Sequence, residues 1–149
     1  MLHIIYYLCV MSKVVALDFG LKRTGIALSD EARMFAFGHE TIASDQLMNY
    51  LKKLVSDEKI TTIVLGLPSR LDTTDSHISE NVRLLSEALK KEFPLCDVQL
   101  LDERFTSKMA SQSIHMAGGK KKHKKDKMLV DKVSATIILQ SYLEQQGRM

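Results

Sequence analysis

Short apolar runs along the chain predict the strands of a buried sheet. Residues 14–17 are wholly apolar and end at an aspartate, and residues 61–66 and 98–101 are dominated by aliphatic side chains. Runs of this kind are typical of strands covered on both faces, whereas a strand with one wet face alternates between apolar and polar positions. The sequence therefore predicts three strands of parallel type.

Two further strands are predicted between the first and second of these runs. Residues 25–30 follow the first run after a short polar turn, which favours an antiparallel hairpin. Residues 34–42, where small and large apolar side chains mix, predict a third strand of the same meander.

Apolar residues spaced by three or four positions predict four helices. Ser44 is predicted to cap the first, which carries Leu47, Leu51, Leu54 and Val55 on one face. The others are predicted at residues 76–93, 106–117 and 127–146, the last with Val133, Ile137 and Leu143 among its buried positions. The order β-β-β-α-β-α-β-α-α indicates an α/β fold, with a mixed five-stranded sheet flanked by helices.

The first twelve residues stand apart from this regular pattern. Residues 1–10 are apolar with one histidine and lack the basic region and cleavage site of a signal peptide. We expect residues 1–12 to be an N-terminal extension outside the core and residues 13–146 to form one domain. The alternative is that residues 3–10 form an extra edge strand.

Composition narrows the class of protein. The chain has 149 residues, 45% of them apolar and 26% charged, which suits one globular domain. No apolar run approaches the roughly 18–20 residues that a membrane span needs. Cys9 and Cys96 form neither a CxxC pair nor a disulfide framework, which excludes a zinc ribbon or a stapled secreted scaffold and favours a cytoplasmic location.

The positive charge is concentrated in one segment, the lysine block of residues 120–127. It holds six lysines and one aspartate, while the whole chain has a net charge of only +3. Its members are Lys120, Lys121, Lys122, Lys124, Lys125 and Lys127. Such a block is either a solvated loop or a contact for a polyanion.

Acidic residues follow the first and last predicted strands. Asp18 ends the first strand, Asp102 and Glu103 end the last, and Asp131 lies near the start of the final helix. If these strands are neighbours, their carboxyl ends lie side by side, where sites in open α/β sheets gather. Carboxylates so placed repel one another unless hard cations such as Mg²⁺ or Mn²⁺ neutralise them, and such ions support phosphodiester cleavage.

Each carboxylate also has a purely structural interpretation. Asp18 fits a turn residue, Glu103 fits a surface ion pair with Arg104, and Asp131 fits a charge on a helix surface.

Several motifs together resemble one known family. Residues 16–30 closely resemble the opening motif of the YqgF/RuvX family. Gly66-Leu67-Pro68, residues 102–107, the lysine block and residues 131–139 follow in that family's order and spacing, so the match spans about residues 13–145. The resemblance implies a ribonuclease H-like fold and a nuclease for structured nucleic acid. The family is associated with maturation of the 5′ end of pre-16S rRNA and was earlier likened to Holliday-junction resolvases.

The resemblance also assigns residues. The family's acidic positions correspond to Asp18, Glu103 and Asp131, as ligands of Mg²⁺ or Mn²⁺, with Asp102 as a further candidate ligand. The phosphate contacts expected are Lys22, Arg23, Lys120, Lys121, Lys122, Lys124 and Lys125. One departure is the segment 72–76, which lacks the two glycines usual in the family, so a close approach of backbone to phosphate is not expected there.

We therefore expect a metal-dependent nuclease acting on pre-rRNA, monomeric or homodimeric and without membrane contact. Two alternatives stay open. A junction resolvase acting on branched DNA requires a symmetric dimer, whereas an assembly factor would bind rRNA without cleaving it.

Overall fold

A mixed five-stranded sheet forms the centre of the fold. The structure, a computed structural model, describes residues 12–68, 73–102 and 127–147. The strands are β1 (Lys13–Phe19), β2 (Arg23–Ser29), β3 (Ala36–Ala43), β4 (Ile60–Leu67) and β5 (Asp97–Asp102). They lie in the order β3-β2-β1-β4-β5; β1, β2 and β3 form an antiparallel meander, while β4 pairs in parallel with both β1 and β5. The predicted α/β class, the five strands and the hairpin are confirmed.

In the described part of the chain, three helices cover the two faces of this sheet. They are α1 (Leu47–Asp57), preceded by a 3₁₀ turn at Ser44–Gln46, α2 (Thr73–Glu92) and α3 (Lys127–Gly147). The predicted helix at residues 106–117 lies outside the described residues. None of the helices in the described ranges is both long and apolar enough to cross a membrane.

Alternation along β1 separates two hydrophobic cores. Val15 and Leu17 belong to the core that includes residues of α1 and α2, whereas Val14 and Ala16 pack with residues of α3. Both faces of β1 are thus covered, which is why residues 14–17 read as an uninterrupted apolar run. Asp18, next in the even-numbered series, lies on the α3 face of the sheet.

The prediction for the buried face of α3 was partly wrong. Leu143 is buried as expected, but Val133 and Ile137 are only half-buried. The buried residues of α3 are Ala135, Ile138, Leu139, Tyr142 and Leu143. Apolar residues occur on several sides of this helix, so their spacing alone did not identify the face that packs on the sheet.

Ser44 does not cap α1, contrary to prediction. No side chain caps either the 3₁₀ turn or α1. The Ser44 hydroxyl instead donates to the Gly20 carbonyl oxygen at 2.6 Å and lies 2.8 Å from the Thr24 hydroxyl. The Ser44 backbone N–H donates to the Lys22 carbonyl oxygen at 2.9 Å. These bonds tie the β1–β2 turn to the end of β3.

Ser12, which was expected to belong to the extension, packs against the rest of the fold. Ser12 is buried, and the Arg33 guanidinium donates to its carbonyl oxygen at 2.9 Å and to its hydroxyl at 2.7 Å. Ser12 therefore belongs to the packed part of the chain. Residues 1–11 lie outside the described residues, so the N-terminal extension stays a prediction.

Candidate active site at the carboxyl end of β1

Asp18 lies at the point where β1 approaches the tip of its hairpin. Its neighbour across the strand pair is Gly25 of β2. Directly opposed residues in an antiparallel pair have Cα atoms about 4.5–5.5 Å apart. Both residues lie on the α3 face, because Ala16 and Ala27, two positions away on each strand, pack in the α3 core. Any group that contacts Gly25 from the α3 side of the sheet therefore lies close to Asp18.

The backbone of Asp131 is what contacts Gly25. A Cβ atom built on Gly25 would lie 2.0 Å from the Asp131 carbonyl oxygen and 3.1 Å from its Cα atom. Only a residue without a side chain lets α3 approach β2 so closely. Gly25 thus brings the backbone of Asp131 close to the residue that is paired with Asp18.

The start of α3 is also held from the neighbouring strand. The Thr41 hydroxyl of β3, which is buried, donates to the Met128 carbonyl oxygen at 2.5 Å. The contact at Gly25 and this hydrogen bond together fix the first turns of the helix that carries Asp131.

Arg23 forms an ion pair with Asp131. Its Nε lies 3.2 Å from Oδ2 of Asp131, and the two side chains are 36% and 24% exposed. Arg23 is two residues from Gly25 on β2 and therefore on the same face of the sheet. The predicted phosphate contact thus lies at the candidate site, paired with one of its carboxylates.

Lys22, the second predicted phosphate contact in this region, lies in the β1–β2 turn and is exposed. The Gly20 N–H donates to the Arg23 carbonyl oxygen at 2.9 Å across this turn, which leaves Lys22 at its tip. Lys22 is therefore accessible to a polyanion at the edge of the candidate site.

The ends of β1 and β5 are not adjacent, so the condition for a side-by-side arrangement is not met. β4 lies between them, which separates their axes by roughly 10 Å at the usual strand spacing. Gly66 of β4 faces the α3 side of the sheet, as does Val64 two residues before it. Because it is a glycine, β4 places no side chain between the ends of β1 and β5 at that position.

Asp102 lies on the opposite face of the sheet. Leu101 packs in the α3 core, whereas Val98 packs in the other core. Successive side chains of a strand alternate between faces, so Asp102 shares the face of Val98, away from Asp18. This orientation argues against Asp102 as a ligand in the same site as Asp18.

The remaining predicted site residues lie outside the described part of the chain. They are Glu103, Lys120, Lys121, Lys122, Lys124 and Lys125. Within residues 12–68, 73–102 and 127–147, no group of three or more His, Cys, Asp or Glu side chains could hold a metal ion. Asp18 and Asp131, the described site carboxylates on the α3 side of the sheet, offer the hard oxygen donors that Mg²⁺ and Mn²⁺ prefer. A cationic guanidinium already contacts one of them, so this donor set fits a cation.

Sequence reasoning missed the role of Gly25. A glycine inside a strand often marks a close approach of another backbone, and that signal was available. It did not show that the approaching residue is Asp131, which is more than a hundred positions away in the chain.

Residues 12–145 match the family model described as "RuvX: Holliday junction resolvase". The chain belongs to the RuvX family. A relative from Bacteroides thetaiotaomicron is 44% identical over 134 residues, covering 90% of this chain and 97% of the relative. One from Porphyromonas gingivalis is 41% identical over 138 residues, covering 93% and 100%. Both carry the name "Putative pre-16S rRNA nuclease".

Among solved structures, Thermus thermophilus RuvC matches the fold of this RuvX chain. The TM-score is 0.51 at 8% sequence identity, with 91% of this chain and 97% of the other covered. The likeness in fold confirms the predicted ribonuclease H-like architecture. Together with the RuvX family match, it confirms the resemblance that the sequence motifs indicated.

Proposed function

We propose that the protein is a metal-dependent nuclease that hydrolyses phosphodiester bonds in pre-16S rRNA during ribosome biogenesis. The observation that supports the proposal most directly is the contact of the Asp131 backbone with Gly25, the residue paired with Asp18 across β1 and β2. The family match and the names of the relatives support the reaction class and the substrate. We propose the cytoplasm as the compartment, as expected from a sequence whose two cysteines form neither a CxxC pair nor a disulfide framework.

Asp18, Glu103 and Asp131 are the proposed ligands of Mg²⁺ or Mn²⁺. When bound, such ions activate the attacking water and stabilise the leaving oxygen of a phosphodiester. The chain's own contribution is to hold the carboxylates in place. Asp18 is fixed by the β1–β2 pairing, and Asp131 by the packing of α3 on Gly25. Asp102 is left out of this ligand set because of its orientation.

Basic side chains supply the proposed contacts with nucleic acid. Lys22 at the hairpin tip and Arg23 at the site are supplemented by Lys120, Lys121, Lys122, Lys124 and Lys125. Such side chains bind phosphates without reading bases, so we expect selection by the shape of a structured RNA more than by its sequence.

The test compares two substrates with the purified full chain. A 5′-extended 16S rRNA fragment and a four-way DNA junction are incubated with Mg²⁺, with Mn²⁺, or with a chelator. The proposal predicts cleavage of the rRNA extension only in the presence of the ion.

Other outcomes would replace the proposal. Paired symmetrical cuts in the junction by a dimer, with the rRNA intact, would identify a resolvase. Tight rRNA binding without cleavage under any of these conditions would identify a non-catalytic assembly factor.

A further inference from the structure

The ion pair between Arg23 and Asp131 occupies a carboxylate that the proposed function needs for a cation. Among the described residues, the hydrogen bonds of the Arg23 side chain consist of one contact, from Nε to Oδ2 of Asp131 at 3.2 Å. A bidentate pair would use two parallel N–H groups and hold the carboxylate more firmly. The contact is therefore a single charged hydrogen bond that another cation can replace.

The backbone of Asp131 has little freedom to move when another cation replaces Arg23 at the carboxylate. It lies against Gly25 with no room for even a methyl group, and Thr41 holds the Met128 carbonyl at the start of α3. A change of partner for the carboxylate is therefore a change at the side chain, while the helix stays in place.

We propose that Arg23 is the internal counter-charge of Asp131, and that its guanidinium and a divalent cation compete for the Asp131 carboxylate. In the cation-free protein, the guanidinium offsets the negative charge of the Asp131 carboxylate. Cation binding displaces the guanidinium and frees its Nε–H group. Arg23 thus sets the affinity of the site for the cation as a positioning residue. This inference rests on the metal site of the proposed function.

The expected effect is modest, because both partners are partly exposed. Partly exposed ion pairs contribute a free energy that corresponds to a factor of about two to five in an equilibrium constant. Replacing Arg23 by glutamine removes the competitor and the positive charge near the ion, and both changes favour cation binding.

The test is a calorimetric titration of Mn²⁺ into the full chain without nucleic acid. We expect Arg23→Gln to bind Mn²⁺ about two- to five-fold more tightly than the wild type. Arg23→Lys keeps a cationic side chain near Asp131 and should stay closer to the wild type. Lys22→Gln is the matched control: it removes the same charge one residue away, at an exposed position, and should change the Mn²⁺ affinity by less than Arg23→Gln.

Three results would overturn the inference: unchanged affinity in Arg23→Gln, weaker affinity in Arg23→Gln, or an equal gain in Lys22→Gln. Circular dichroism of each variant shows whether it is folded, and Arg23→Lys provides the comparison if Arg23→Gln is not. Failure of the proposed function has a different signature. A wild type that binds Mn²⁺ but cleaves no rRNA leaves the competition intact, whereas one that binds no Mn²⁺ overturns both.

Discussion

Replacing Gly25 by alanine tests whether the close approach of α3 positions the candidate site. The added Cβ atom would lie 2.0 Å from the Asp131 carbonyl oxygen, and contacts under 3.0 Å essentially never occur. Relief therefore requires a shift of about 1 Å or more in the backbone of β2 or α3. β2 is paired on both sides, and α3 is anchored by buried residues such as Ile138 and Leu139.

The size of the effect follows from this lack of freedom. Overpacking in a well-packed protein typically costs about 1–3 kcal/mol, and a collision between two backbones belongs at the upper end of that range. We expect Gly25→Ala to lower the free energy of unfolding by about 3 kcal/mol. For a chain of this size, that corresponds to a fall in Tm of roughly 6–12 °C.

Gly38→Ala is the matched control, because Gly38 also lies against α3. There the added Cβ atom would lie 3.2 Å from the Thr136 hydroxyl, a side-chain atom that can give way. Where the native backbone conformation accepts alanine, replacing a glycine also stabilises a protein by about 0.4–1 kcal/mol, because it lowers the conformational entropy of the unfolded chain. We expect Gly38→Ala to stay within about 1 kcal/mol of the wild type.

The assay is denaturation by urea, followed by far-ultraviolet circular dichroism because the chain has no tryptophan. Mn²⁺ affinity is measured on the same samples, and we expect it to fall in Gly25→Ala as Asp131 is pushed away from Asp18. Equal stability and equal Mn²⁺ affinity in Gly25→Ala and Gly38→Ala would refute the positioning role of Gly25.

Two further predictions concern charge. The Lys13 ammonium lies 2.6 Å from the Glu58 carboxylate and holds the pKa of that carboxyl below its ordinary value of 4.5. The pair therefore stabilises the fold fully above about pH 4.5, and this stabilisation is lost as the pH falls through the pKa of the folded protein. Glu58→Gln should therefore lower the free energy of unfolding, measured by urea denaturation at pH 7, by about 0.2–1 kcal/mol. The difference from the wild type should vanish in acid, and a difference that does not change with pH would contradict this assignment. For the lysine block, four phosphate contacts predict that log affinity falls with log salt at a slope of about −3.6 on a duplex or −2.8 on a single strand. Replacing Lys120, Lys121, Lys124 and Lys125 by glutamine should flatten that slope in filter binding, and an unchanged slope would place the nucleic acid elsewhere.

The sheet was predictable because its signal is local. Residues 14–17 are covered on both faces, so every position is apolar, and the short polar turn after Asp18 allows only a hairpin to β2. The face of α3 was less predictable, since apolar side chains lie on more than one side of that helix. Ser44 was wrongly predicted as a cap because its hydroxyl donates a hydrogen bond to the Gly20 carbonyl oxygen instead. That contact depends on how the hairpin turn packs, which the local sequence does not show.

The site was predictable in its residue types more than in its geometry. Asp18 and Asp131 were both proposed as ligands from the sequence, but their proximity depends on a contact at Gly25 between distant segments. Asp102 was grouped with Glu103 because the two are adjacent in sequence. In a strand, adjacent side chains point to opposite faces, and the packing of Leu101 determines which face Asp102 takes. The interposition of β4 between β1 and β5 is likewise a long-range property.

The measurement that tests the central claim most directly is cleavage of a 5′-extended 16S rRNA fragment by Asp18→Asn, with RNA binding measured in parallel. The account predicts that cleavage with Mg²⁺ or Mn²⁺ is abolished while RNA binding is largely retained, because the substitution removes a proposed metal ligand and leaves the basic residues in place. Asp102→Asn, on the other face of the sheet, should still cleave. Full metal-dependent cleavage by Asp18→Asn would contradict the account.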